Sequence, residues 1–230
     1  NSQTITTFLE TKNVGLNLYR VIVDPTEKEV VVSNNSLEFG IEAIDQKLNI
    51  ALISDTPHPD LAFFKTVLST DKNYEITQIE PKDFPQQANK YNIAILYQPT
   101  SEFSQVFKSI EKYNLNSFII AGTFTDWKYL NSAQSSYIHE YTGQNEDYQS
   151  LINSNFDNFS LDFIDFENYP PLTSSFGNMN INIAHNVLLY KYINGVNTNQ
   201  PLLFTYSKNN LRQVVLLSLI HISEPTRRKR

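Results

Sequence analysis

The chain of 230 residues contains no cysteine, which excludes disulfides, thiol nucleophiles and thiolate metal sites. It has no run of eighteen apolar residues, so no segment reads as a membrane-crossing helix. A dense Lys/Arg stripe is missing too. With 18 basic residues against 24 acidic ones, a net charge of −6, the chain repels a phosphate backbone and nucleic acid is not an expected partner. No serine occupies a Gly-x-Ser-x-Gly elbow, no histidine has a recognisable triad spacing, and no internal repeat stands out. What is present is a hydrophobic fraction of 40% with 13% aromatic residues. That suffices for one large core, or a moderate domain plus part of another.

Both ends read as unusual. Residues Leu217 to Arg227, LSLIHISEPTR, resemble an in-frame translation of a sequencing adapter, so 217–230 is expected to be a non-native tail outside fold reasoning. The alternative is a basic tail for an acidic surface. Without the tail's four basic residues and one acid, 14 basic and 23 acidic residues remain, a balance of −9. The start at Asn1 falls within a β pattern and reads as an internal fragment.

Leu16 to Asp24, Glu29 to Ser33 and Leu37 to Ala43 are expected strands, separated by turn chemistry at Pro25 to Lys28 and at Asn34-Asn35-Ser36. In the third, Leu37, Phe39, Ile41 and Ala43 share one face and Glu38, Gly40 and Glu42 the other, the period of a half-solvated antiparallel sheet. Residues 1–46 are therefore read as the closing strands of an immunoglobulin-like sandwich, too short to be complete.

From residue 47 the pattern changes. Asn49 to Ile53, Asn92 to Tyr97 and Ser117 to Ala121 are nearly continuous apolar runs, as strands covered on both faces are. Leu61 to Ser69 and Glu102 to Tyr113 have helical periodicity, and Tyr74 to Ile79 alternates like an edge strand. This order predicts, over 47–216, an α/β domain with a mostly parallel sheet and helices on both faces. Asn131 to Asn158 is polar and turn-rich and is expected to be an insertion with little core. Phe159 to Phe166, Asn180 to Tyr192, Pro201 to Tyr206 and Val214 to Leu216 are further expected strands.

The motifs SDTPHPD at Ser54 to Asp60, YQP at Tyr97 to Pro99, IIAGT at Ile119 to Thr123 and YPPLTSSFG at Tyr169 to Gly177 give a resemblance. The chain resembles the C-terminal part of Bacteroidota-type cell-envelope proteins associated with von Willebrand factor A regions, in which a β-sandwich precedes a class I glutamine amidotransferase-like domain. The resemblance implies a flavodoxin-like fold, a place on the periplasmic side of a membrane-anchored protein, and partners among envelope proteins or upstream domains of the same chain. It implies no cofactor. Amidotransferases carry a nucleophilic cysteine on a strained strand-to-helix turn, in a Gly-x-Cys-x-Gly pattern. In this sequence the corresponding segment is Gly122-Thr123-Phe124-Thr125-Asp126, with Phe124 at the nucleophile position. The partner histidine and glutamate, two residues apart in those enzymes, are also missing, since His185 is followed by Asn186 and Val187. An amidotransferase-like domain without catalysis is the expectation.

Ligands of such sheets sit beyond the carboxyl ends of the strands, which singles out Asp55, His58 and Asp60, and then Thr123, Thr125, Asp126 and Trp127. Two carboxylates and an imidazole within six residues are able to hold a divalent metal or act as base and acid. The structural alternative puts Pro59 in the first turn of a helix, Asp60 beside it facing the dipole, and Asp55 in an Asx turn. Thr123, Thr125 and Asp126 offer hydroxyls and a carboxylate to a ligand, or Thr125 or Asp126 caps the next helix. Trp127, Tyr129, Tyr137, Tyr141 and Tyr148 form a third candidate, an aromatic platform for glycans or peptides, against covering the domain edge.

Overall fold

The computed structural model describes residues 13–24, 35–43, 47–159, 166 and 171–218. The chain divides into two compact units between Lys47 and Leu48.

In the first unit β1 (Gly15–Ile22) and β2 (Ser36–Ala43) form an antiparallel pair. Tyr19 stacks on Phe39 with ring centroids 5.8 Å apart, and Arg20 pairs with Glu38 on the opposite face. This agrees with the alternation read from Leu37 to Ala43. The expected strand Glu29 to Ser33 lies outside the described residues.

The second unit is a mixed α/β domain built on one nine-stranded sheet. Its elements are β3 (Leu48–Ile53), α1 (Pro59–Leu68), β4 (Tyr74–Ile79), β5 (Ile93–Tyr97), α2 (Ser104–Tyr113), β6 (Asn116–Ile120), α3 (Trp127–Ala133), β7 (Tyr137–Ile152), β8 (Leu172–Ile181), β9 (His185–Ile193), β10 (Val196–Lys208) and β11 (Leu211–Leu216). Across the sheet the order is β4-β3-β5-β6-β11-β10-β9-β7-β8. The first five strands are parallel, and β10, β9, β7 and β8 continue the sheet antiparallel.

The apolar runs become central strands because each face has its own core. Ala51, Ile53, Ala94, Leu96 and Ile119 point to the side packed by Val106 and Ile110 of α2 and by Trp127 and Leu130 of α3. Ile50, Leu52, Ile95 and Tyr97 point to the other side, against Leu61, Phe64 and Leu68 of α1. Helix α2 buries its apolar stripe and stops at Asn114, which takes the left-handed conformation (φ 52°) and lets Leu115 N–H reach Ile110 O at 3.0 Å.

Asn131 to Asn158 is not the coreless insertion its composition predicts. It contains the end of α3 and the 16 residues of β7, with Tyr137, His139 and Tyr148 buried. Strand period two puts Tyr137 and His139 on one buried face; the irregularity between Tyr141 and Asn145 breaks that register before Tyr148, and exposed polar residues dominate the stretch between. Glu146 is paired across the sheet with Lys191 of β9 at 2.7 Å. The expected strand from Phe159 to Phe166 falls mostly outside the described residues. Leu217 and Ser218, the start of the expected tail, are buried: Leu217 N–H donates to Leu202 O at 2.9 Å.

Candidate functional site

Within the parallel part of the sheet β4 lies on one side of β3 and β5 on the other, so the order of connection reverses between β3 and β5. Such a switch leaves a crevice at the carboxyl ends of those strands. The loops there are 54–58 after β3, 98–100 after β5 and 121–126 after β6.

His58 ends the first loop as the cap of α1, with Pro59 in the first turn as expected. Its Nδ1 accepts the Asp60 N–H at 3.2 Å. The Tyr97 hydroxyl lies 2.8 Å from that nitrogen and donates to Asp60 Oδ2 at 3.0 Å. Burial, and then the Asp60 charge, push the Tyr97 phenol well above its ordinary range. His58, Asp60 and Tyr97 are thus one cluster, with the tyrosine kept neutral.

Asp55 does not join it. Its Oδ2 accepts the Thr100 hydroxyl at 2.7 Å, which ties the β3 loop to the β5 loop. The three-ligand metal set predicted from Asp55, His58 and Asp60 is not assembled, and among the described residues no three His, Asp or Glu side chains are placed to hold one ion. The reason is geometric. Asp55 turns to Thr100 while His58 turns to Asp60 and Tyr97, and the helix cap engages His58 Nδ1.

The third loop is pinned in the same way. Gly122 N–H donates to Thr125 Oγ1 at 2.8 Å, and Asp126 caps α3 by accepting Tyr129 N–H at 2.9 Å. Asp126 N–H donates to Pro99 O at 3.1 Å. Phe124 N–H donates to Gln98 Oε1 at 2.8 Å, and the Phe124 ring is 74% exposed. Thr123 is half-buried. Trp127 leaves this edge altogether. It is buried, with its ring 4.3 Å from that of His139.

Three contributors were not singled out from the sequence. Tyr97 reads as the end of an apolar strand and as part of the YQP motif but not as a site residue, and Thr100 as an ordinary loop residue. Gln98 is the third, buried at φ 48°. Every other non-glycine residue with positive φ among those described is an asparagine, so Gln98 is the one bulkier side chain held in a left-handed conformation. The strain is at Gln98, after β5. Phe124 is not among the positive-φ residues, so the turn at the expected nucleophile position lacks the left-handed backbone of a strained elbow.

The aromatic platform does not assemble. Trp127, Tyr137 and Tyr148 are buried, Tyr129 is half-buried, and Tyr141 is exposed. Tyr148 instead donates to Leu217 O at 3.2 Å, and its ring carries the Lys191 ammonium 4.9 Å from the centroid. These rings organise the interior of the β7–β9 region.

No known family profile matches the chain, and no curated protein matches it in sequence. Solved structures do resemble it. Cytoplasmic Protein STM1381 from Salmonella typhimurium LT2 aligns over 88% of this chain and 84% of its own, at 9% identity and a TM-score of 0.50. A Thermoplasma acidophilum protein provisionally described as one part of a GMP synthase aligns over 75% of this chain and 84% of its own, at 8% identity and 0.49. A cold-adapted β-galactosidase from Rahnella sp. R3 aligns over 76% of this chain and 29% of its own, at 9% identity and 0.49. At 9% identity the likeness to the first of these concerns the α/β architecture alone.

Proposed function

We propose that the second unit is a non-catalytic binding module on a flavodoxin-like, class I amidotransferase-like scaffold, serving a membrane-anchored cell-envelope protein. The fold part of this reading rests on the parallel strand order, second-first-third-fourth-fifth along the chain, with the switch between β3 and β5. The envelope setting rests on the sequence resemblance. Among the described residues no helix is long and apolar enough to cross a membrane, so any anchoring through a helix would lie outside them.

The observation that carries the non-catalytic reading is the state of the carboxyl edge. Nucleophilic catalysis needs an attacking atom within reach of a base that is itself free to take the proton. Here Thr125 accepts a backbone N–H, Thr100 donates to Asp55, His58 Nδ1 accepts the helix-capping N–H of Asp60, and the phenyl ring of Phe124 at the expected nucleophile position is exposed. An exposed aromatic ring framed by polar loops suits non-covalent contact, because it contributes apolar area at small entropic cost.

Turnover of glutamine, read as ammonia release, and of an activated acyl ester tests this. The expected result is background rates that His58→Ala leaves unchanged. Saturable turnover that His58→Ala abolishes would overturn the non-catalytic reading.

A further inference from the structure

A second concave surface lies away from the carboxyl edge. It is a cleft of about 650 Å³ whose described walls contain no helix. Its floor belongs to the sheet. Leu52, Ile95, Phe118, Val214, Thr205 and Asn186 are successive register partners across β3, β5, β6, β11, β10 and β9, so they point to the same side. Under α1 that row is apolar and buried. At β10 and β9 it becomes Thr205 and Asn186, on the floor of the cleft.

The groups around this floor are complementary in chemistry. Asn158 donates to Thr205 Oγ1 at 3.0 Å, and Asn186 donates to the side-chain oxygen of Asn158, which fixes two amides and a hydroxyl as an ordered polar array. Phe159 stands beside them 52% exposed, braced edge-on against Phe156 with centroids 4.9 Å apart. Arg212, two residues before Val214 on the same face, lines the cleft and makes no ion pair among the described residues.

We propose that this cleft binds a carboxylated monosaccharide of the uronate type. The Arg212 guanidinium pairs with the carboxylate through two parallel N–H donors. The amides of Asn158 and Asn186 and the hydroxyl of Thr205 engage the ring hydroxyls, and Phe159 covers the apolar C–H face of the sugar. The volume falls within the range of small-molecule sites. This inference is independent of the reading of the carboxyl edge, because none of its residues belongs to the loops around Phe124.

Isothermal titration of the whole chain with glucuronate and with galacturonate, glucose serving as the neutral control, tests it. At least one uronate is expected to bind saturably, glucose at least about tenfold more weakly. Arg212→Gln, with its fold verified by circular dichroism, is expected to weaken uronate binding by a similar factor, and Phe63→Ala, on α1 and away from the cleft, to leave it unchanged. Absence of uronate binding, equal binding of glucose, or an Arg212→Gln protein that binds as tightly as the parent would overturn the assignment. Turnover at the carboxyl edge would bear on the other proposal and not on this one.

Discussion

At the scale of single residues, two positions carry constraints stronger than their appearance in the sequence suggests. Gly177 sits in β8 at φ 151°, and a Cβ built there would lie 2.1 Å from Glu140 O. The neighbour is backbone of the paired strand and cannot rotate away. Gly177→Ala is therefore expected to cost about 3 kcal/mol, the upper end of overpacking penalties, seen as a lowered urea midpoint at unchanged slope. Tyr97 is the second position. Removing its hydroxyl leaves the nearly buried Asp60 without that donor, so Tyr97→Phe is expected to destabilise by about 1–3 kcal/mol; an unchanged thermal midpoint would show that the cluster contributes nothing.

The residue scale is also where the sequence was least informative about the site. His58, Pro59 and Asp60 could be placed at a helix start from local chemistry alone, and they are there. That Asp55 would turn to Thr100, and that His58 would meet Tyr97, depended on contacts 45 and 39 residues apart in the chain. Nothing local to SDTPHPD encodes them.

At the scale of elements, the β7–β9 region depends on an ion pair with little water around it. The side chains of Lys191 and Glu146 are 4% and 16% exposed, so removing one charge strands the other in a poorly solvated place. Glu146→Met or Lys191→Met alone is expected to cost about 3 kcal/mol, whereas the double replacement by methionine is expected to recover most of that loss. A double variant as unstable as the sum of the singles would mean that the pair is not coupled.

The hairpins show what element-level signals were available. β9 and β10 are joined by Asn194 and Gly195, both at positive φ, and β10 and β11 by Asn209 and Asn210, at φ 52° and 64°. These are the dipeptides that suit two-residue turns between twisted strands. The parallel strands were equally readable, because burial on both faces leaves uninterrupted apolar runs. β7 was not, since a strand with one solvated face and a polar composition resembles a loop when counted by residue type.

At the scale of the whole molecule, buried titratable groups set the pH window of stability. Burial holds the His139 imidazole below its usual value, the nearby Lys191 charge acting in the same direction and the Asn178 carbonyl opposing. The unfolded chain then binds this proton more readily, so the contribution is present above about pH 6.5 and is lost as the pH falls below it. His139→Gln is expected to flatten the fall of thermal midpoint between about pH 7 and pH 5. Burial raises the Tyr206 phenol to about 12 and raises Tyr137 and Tyr148 as well. Their contribution is present below about pH 10 and is lost as the pH rises from there toward 12. Tyr206→Phe is expected to reduce the slope of that alkaline loss.

The sequence places the change from amphipathic strands to doubly buried ones at residue 47, and the compact units divide between Lys47 and Leu48. The four-strand antiparallel extension was not visible in the sequence, because its order depends on which edges remain open after the parallel strands have paired, and single segments do not carry that information.

The central claim is that the carboxyl edge of the parallel strands holds no activated hydroxyl. Intact-mass analysis after exposure to a fluorophosphonate probe tests it directly, since such probes mark hydroxyls made nucleophilic by a neighbouring base. An unmodified chain is the expected result. A single stoichiometric adduct on Ser54, Thr100, Thr123 or Thr125 would contradict it.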